Sequence, residues 1–125
     1  METSEDYYPR IESVTDNYGN TATPSRMTVR TGMRLRVGDV LEYVVAASDP
    51  LGEKLEYRLT GVPPYDDEKG WATDHILTFT ITSEQVGVWV EIGVAIRSQR
   101  PFHARRGYDD NAIFVYEVLP PRAAG

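Results

Sequence analysis

Residues 75–97, HILTFTITSEQVGVWVEIGVAIR, decide the fold because their side chains alternate between two faces in two successive runs. In residues 75–82, leucine, phenylalanine and isoleucine alternate with threonine, which is the pattern of a half-buried strand. A turn that ends at Gly87 follows, since glycine adopts turn conformations freely. Residues 88–97 then place five aliphatic side chains on one face. We expect this run to be a central strand, with an inner row of Val88, Val90, Ile92, Val94 and Ile96.

The same alternation recurs along most of the chain. Residues 33–37, 40–48 and 55–59 predict strands, and residues 11–14 and 27–29 are shorter candidates. A last strand is predicted at 111–119, where both faces are apolar and the register stays open. Convincing helical periodicity is absent from the sequence, so a parallel α/β fold is disfavoured. Seven or eight short strands separated by Gly, Pro and Asp turns predict an all-β antiparallel sandwich.

Length and composition predict one domain and exclude several classes of function. The chain has 125 residues, no cysteine and a net charge of −6. Thiolate metal sites and cysteine nucleophiles are therefore excluded, and general binding to nucleic acid or to an anionic membrane is disfavoured. We expect a flexible segment at 1–8, the folded domain at 9–119 and a linker or tail at 120–125. The sequence predicts neither a membrane-spanning helix nor a signal peptide.

Three motifs carry a resemblance to a known family. They are VGDVLEY at 37–43, ASDPLGEKLEYRL at 47–59 and FTITSEQVG at 79–87. Their order resembles the immunoglobulin-like repeats of bacterial multidomain proteins, which include cadherin-like and PKD-like domains. The resemblance covers about two-thirds of the chain, roughly residues 37–119. It implies an immunoglobulin-like sandwich and a non-catalytic module of a larger bacterial protein, which acts as a spacer or as a protein-recognition domain. It also favours an extracellular or cell-surface location.

Catalytic groups are scarce in the sequence. The histidines are His75, at the start of a predicted strand, and His103, in a predicted loop. Neither belongs to a recognisable nucleophile or metal-ligand motif, and the chain has no glycine-rich phosphate loop. We therefore expect no enzymatic activity and no catalytic residues.

Calcium is the one cofactor that the acidic residues suggest. Asp49 in the SDPLG turn, and Asp109 and Asp110 before the last strand, are the candidate ligands; Asp74 could join them at one end of a sandwich. This would fit the alternative that the chain is a calcium-stabilised cadherin-like adhesion repeat. The competing interpretation is that these aspartates cap turns and begin strands through their own backbone.

The loop at 97–108, RSQRPFHARRGY, is the predicted partner site. It carries four arginines and no acid in a chain that is acidic elsewhere, and arginine with aromatic residues is typical of protein interfaces. The candidate partner-binding residues are Arg100, Phe102, His103, Arg105, Arg106 and Tyr108. The alternative is a solvated hairpin whose arginines pair with local acids, and nucleic acid is an unlikely target. The expected partner is another protein or a neighbouring domain of the same chain.

A second binding hypothesis uses aromatic side chains. Trp71, Trp89 and Tyr65 could present rings to a carbohydrate if they lay on one exposed face, which would make the chain a carbohydrate-binding module. The same residues could instead cover a sheet edge or pack beneath a loop.

Overall fold

The computed structural model describes residues 8–65, 69–98 and 110–121 of the protein. Eight strands follow one another: β1 (Arg10–Asp16), β2 (Thr21–Ala22), β3 (Thr28–Arg36), β4 (Val40–Ser48), β5 (Leu55–Thr60), β6 (Ile76–Thr80), β7 (Gly87–Ser98) and β8 (Asp110–Leu119). A 3₁₀ turn at Ser83–Gln85 precedes β7 and begins with a capping box formed by Thr82 and Gln85. Within these ranges, no helix is long and apolar enough to cross a membrane.

The strands form two four-stranded sheets. Their orders are β2-β1-β4-β6 in the first sheet and β3-β8-β7-β5 in the second. The prediction of an all-β sandwich is thereby confirmed. One pairing differs from the predicted antiparallel arrangement, since β3 runs parallel to β8. The chain changes sheet several times between β3 and β8, and parallel strands need such a long connection because a tight hairpin can join only antiparallel ones.

The core lies between the sheets and follows the alternation read from the sequence. The central position of β7 is confirmed, because it pairs with β5 on one side and with β8 on the other. Ile92, Val94 and Ile96 of the predicted inner row are fully buried. In β8, whose register was open, Phe114 and Tyr116 point into the core.

Val88 does not belong to the inner row, and its predicted burial is wrong. Its side chain is 75% exposed. In the pairing of β7 with β8, Gly87 lies opposite Val118 and Val90 lies opposite Tyr116. Two residues of β7, Val88 and Trp89, therefore occupy the space of one residue of β8. This β-bulge breaks the period of two at the start of the strand, so that only the positions from Val90 onward keep the predicted face.

Candidate functional site

Two β-bulges lie on opposite sides of the same part of β8. One is the bulge of β7 at Val88 and Trp89. The other is in β3, where Arg30 pairs with Val115 and Arg34 pairs with Glu117, so that three residues of β3 span one residue of β8. Gly32 allows this excursion because its φ of +68° lies in the left-handed region, which other residues adopt at a cost. The Thr31 hydroxyl donates to the Val115 carbonyl at 2.8 Å and fixes the bulge.

The two bulges enclose a shallow groove of about 270 Å³ on the second sheet, which is the candidate functional site. We call it the bulge groove. Its lining consists of Arg30, Gly32, Met33, Val88, Trp89, Val115, Tyr116 and Glu117. Val88 and Trp89 are 75% and 61% exposed, so two large apolar side chains stand next to each other in water. Single exposed apolar residues are common on protein surfaces, whereas adjacent ones beside a groove point to an interaction site.

Arg30 lies on one wall of the bulge groove, and Arg34 follows it on β3. The guanidinium carbon of Arg30 lies 5.1 Å from the centroid of the Trp89 ring, within cation–π range. Arg30 and Trp89 come from the two strands that flank β8, and the outward-facing Val115 between those strands is only 5% exposed. Arg34 approaches Glu117, with 3.5 Å between Nε and Oε1, while its side chain remains 73% exposed. Trp89 therefore partly covers the sheet and still presents most of its surface to solvent.

A second aromatic cluster lies near the other end of β7. The Trp71 ring is 4.3 Å from the guanidinium carbon of Arg97 and 5.7 Å from that of Arg58. Arg97 Nε donates to Glu56 Oε1 at 2.9 Å, which orients the guanidinium beneath the ring. Trp71 thus takes part in a stack with two arginines and is only partly exposed.

Arg58 fastens the loop that follows β5, a role that the alternation of side chains did not predict. The alternation placed Arg58 on a wet face, yet its side chain is buried. Its guanidinium donates to the carbonyl oxygens of Pro64 and Lys69, both at 2.9 Å. The period of two does place Arg58 away from the core, but it carries no information about a loop that folds back over that face.

The three aromatics proposed for carbohydrate binding do not form one platform. Trp71 stacks on Arg97, eight residues along β7 from Trp89, which corresponds to about 26 Å of extended strand. Tyr65 is 64% exposed and follows Pro64 in the loop that Arg58 fastens. Trp89 is the member of the set that lies in the bulge groove.

The candidate calcium ligands within the described ranges accept backbone hydrogen bonds. Asp49 accepts the N–H of Glu53 at 2.7 Å, as a turn-capping aspartate does. Asp110 accepts the N–H of Ile11 at 2.8 Å through one oxygen and that of Asn111 at 2.9 Å through the other.

The strand pairing brings two of these acids, Asp49 and Asp110, to the same end of the sandwich. Ser48, next to Asp49, lies opposite Arg10, and Asp110 bonds to the residue after Arg10. Asp74 accepts the N–H of Ile76, and Asp109 lies outside the described residues. In the ranges that the structure describes, no group of three or more acidic or histidine side chains is placed to hold a metal ion.

Residues 99–108 of the predicted partner loop also fall outside the described residues. This applies to Arg100, Phe102, His103, Arg105, Arg106 and Tyr108. The flanking residues are described: Ser98 ends β7 and Asp110 begins β8. His75, the other histidine, lies at the surface with its Nδ1 3.8 Å from the Asp74 carboxylate.

One further polar cluster connects the two sheets inside the core. Tyr116 of β8 donates its hydroxyl hydrogen to Asp16 of β1 at 2.8 Å, and its oxygen lies 2.8 Å from the Tyr43 hydroxyl of β4. The buried Asp16 carboxylate also accepts the backbone N–H groups of Tyr18 and Asn20 and a side-chain N–H of Asn20. Burial raises the pKa of both Tyr43 and Tyr116 above the ordinary value.

Comparisons with known proteins identify no family. No family model matches the chain, and no curated protein matches it. Among solved structures, the chain is similar to part of a nucleoside hydrolase-related hypothetical protein from Saccharophagus degradans that is described as associated with carbohydrate metabolism. The identity is 16% and the TM-score 0.46, over 89% of this chain and 25% of that one. The chain therefore spans about a quarter of that protein, and a similarity at this level supports no inference about function.

Proposed function

We propose that the protein is a non-catalytic, immunoglobulin-like module that recognises a protein partner through the bulge groove. The observation that carries the proposal is the adjacent exposure of Val88 and Trp89 beside Arg30. Tryptophan and arginine dominate the binding energy of many protein interfaces, particularly where the aromatic side chain fills a pocket on the partner. Sheet pairing holds these side chains on a rigid scaffold, so little conformational entropy is lost when a partner binds.

The strand order supports the immunoglobulin-like part of the proposal. In the immunoglobulin fold, the strands lettered A, B and E are neighbours in one sheet, and G, F and C are neighbours in the other. Here β1, β4 and β6 are neighbours in the first sheet, and β8, β7 and β5 in the second. The two orders correspond when β1, β4, β5, β6, β7 and β8 take the letters A, B, C, E, F and G; β2 and β3 are then additional strands, and no strand of the described residues takes the place of D. A sandwich of this type hosts many functions, so the proposed activity rests on the groove and not on the fold.

The arginine-rich loop at 100–108 remains a separate proposal for a second contact surface. It joins the end of β7 to the start of β8, whereas Val88 and Trp89 are at the start of β7. The ten-residue step from Val88 to Ser98 corresponds to about 33 Å of strand. If the loop binds a partner, Arg105→Glu combined with Arg106→Glu abolishes that binding without lowering the melting temperature.

Site-specific photo-cross-linking tests the groove. A benzophenone amino acid is placed at Val88 and, as a matched control, at Val44, an exposed valine on the first sheet. In cells that naturally produce the protein, we expect protease-sensitive adducts from position 88 and not from position 44. Adding Trp89→Ala should remove them. Equal adducts from both positions, or none from position 88, would refute recognition through this groove.

Carbohydrate binding is the second candidate, and the position of Trp89 favours it specifically. A sugar ring can stack on an exposed indole, while Arg30 and Glu117 supply a hydrogen-bond donor and an acceptor beside it. Electrophoresis through gels that contain soluble polysaccharides separates this candidate from the first. Retardation that Trp89→Ala abolishes and Tyr65→Ala retains would favour the sugar over the protein partner.

A further inference from the structure

We propose that the bulge groove binds an acidic peptide segment of the partner, with an apolar side chain against Val88 and Trp89 and carboxylates against Arg30 and Arg34. This inference rests on the proposed function and adds the chemistry of the partner. It follows from the positions of the apolar side chains in the groove and of the arginines beside it.

The apolar part of the groove has the size of a side-chain site. Its volume of about 270 Å³ accommodates one or two side chains and is at the lower end for a drug-sized ligand. Val88, Trp89 and Met33 supply apolar contact on both sides of β8. An extended peptide presents alternate side chains to such a surface, so one apolar residue can enter the groove while its neighbours reach the rim.

The arginines on the β3 side of the groove favour an acidic segment. Residues 17–38 contain four arginines and no acid, in a chain with a net charge of −6. Two of these arginines, Arg30 and Arg34, line up on the outward side of β3, opposite Val115 and Glu117 of β8. Arg30 has the Trp89 ring and no carboxylate as its partner in the described part of the chain, and Arg34 is largely exposed beside Glu117.

Arginine is suited to this role because its planar guanidinium binds a carboxylate through two parallel hydrogen bonds. A peptide carboxylate on Arg30 would add to the existing contact with Trp89, because a cation can stack on a ring and bind an anion at its edge. An acidic segment is attracted to these arginines, whereas the net charge of −6 disfavours its approach to most of the chain outside the arginine-rich loop at 97–108.

A selection from displayed random peptides tests the inference, since it needs no identified partner. The immobilised full-length protein, its Trp89→Ala variant and its Tyr65→Ala variant are used in parallel. Tyr65 is the matched control because it is an exposed aromatic residue in another loop. We expect the protein and the Tyr65 variant to enrich peptides that combine Asp or Glu with an aromatic or aliphatic residue, and the Trp89 variant to lose that enrichment.

A synthetic copy of the most enriched peptide then measures the role of charge. Arg30→Ala combined with Arg34→Ala should weaken its binding about tenfold or more, because charge-assisted hydrogen bonds are lost. Lys54→Ala, which removes an exposed cation from the turn before β5, should leave it unchanged. Arg30→Lys keeps the charge and loses the bidentate geometry, so an intermediate affinity is expected. Melting curves establish that each variant is folded.

The outcomes separate this inference from the proposed function. Enrichment of neutral or basic peptides, or equal enrichment on the Trp89→Ala variant, would overturn the acidic partner. If position 88 still cross-links to a protein in that case, recognition through the groove stands and only the chemistry of the partner is wrong. If neither experiment gives a signal that depends on Trp89, both proposals are refuted.

Discussion

Tyr116 joins the two sheets through a single hydroxyl group. Replacing it with phenylalanine removes the hydrogen bond to Asp16 and the contact with the Tyr43 hydroxyl, both buried. A buried polar group that loses its partner costs about 1–3 kcal/mol. We therefore expect Tyr116→Phe to lower the free energy of unfolding by about that amount, measured by urea denaturation. Tyr65→Phe removes an exposed hydroxyl and should change it by less than about 0.5 kcal/mol. Equal stability of both variants would contradict the bridging role.

At the scale of single residues, the sequence predicted which face of a strand a side chain points to better than it predicted what surrounds that side chain. Alternation placed Ile92, Val94 and Ile96 inward, and all three are buried. It also placed Trp89 outward, where most of the ring is exposed. Arg58 shows the limit of alternation, since burial of an outward side chain depends on a loop from elsewhere in the chain. The position of Arg30 beside the groove could not be predicted either, because β3 becomes a neighbour of β8 only after the sheets assemble.

Gly32 and Gly61 both have a positive φ but differ in the space around them, which gives a matched pair of predictions. Gly61 directly follows β5 with φ +79°, and a Cβ there would collide with the carbonyl oxygen of Glu91. Gly32 has φ +68° in the bulge of β3 with open space around it. Gly32→Ala should cost about 1–2 kcal/mol, the cost of a left-handed backbone alone. Gly61→Ala should cost clearly more, since backbone must also move. Chemical denaturation of both variants measures the difference, and equal losses would show that the collision is relieved cheaply.

At the scale of elements, the sequence predicted the strands and missed the bulges. Residues 27–29 and 33–37 were interpreted as separate short strands, whereas β3 runs through both as Thr28–Arg36. The break in alternation around Gly32 is a bulge within one strand, and a bulge and a turn look alike in sequence. The same limit explains Val88. The number of β7 residues that face one residue of β8 depends on the pairing of the strands, which the alternation of a single strand does not contain.

Calcium dependence is a property of the whole molecule that a pair of thermal melts can test. Asp49, Asp74 and Asp110 each accept backbone N–H groups. We therefore expect the same melting temperature in excess calcium and in excess chelator. A ligand at a hundredfold excess over its Kd would stabilise the fold by about 2.7 kcal/mol, a shift of several degrees. If calcium raises the melting temperature of the protein and not that of its Asp49→Ala variant, the result would instead support the calcium-stabilised adhesion repeat.

Stability should also decline at alkaline pH. Burial raises the pKa of Tyr43 and Tyr116, whereas both tyrosines ionise near the ordinary value of 10.0 in the unfolded chain. Above that pH the unfolded state binds fewer protons than the folded state, so the free energy of unfolding falls as pH rises. The slope approaches about 1.4 kcal/mol per pH unit for each tyrosine. Urea denaturation between about pH 9 and 11.5 should show a shallower decline for Tyr116→Phe, and identical slopes would contradict this origin.

The parallel pairing of β3 with β8 has a consequence for how the protein bears mechanical load. The start of β1 bonds to the start of β8 through Ile11 and Asp110, so Arg10 and Leu119 are separated by roughly the length of β8, about 30 Å. Tension applied across those two points pulls β8 along its own length against β3. The ladder from Thr28 to Arg36 is then loaded in shear, and its hydrogen bonds share the force instead of parting one at a time. We therefore expect a force applied between these two points to meet more resistance than one that peels β8 away from its end.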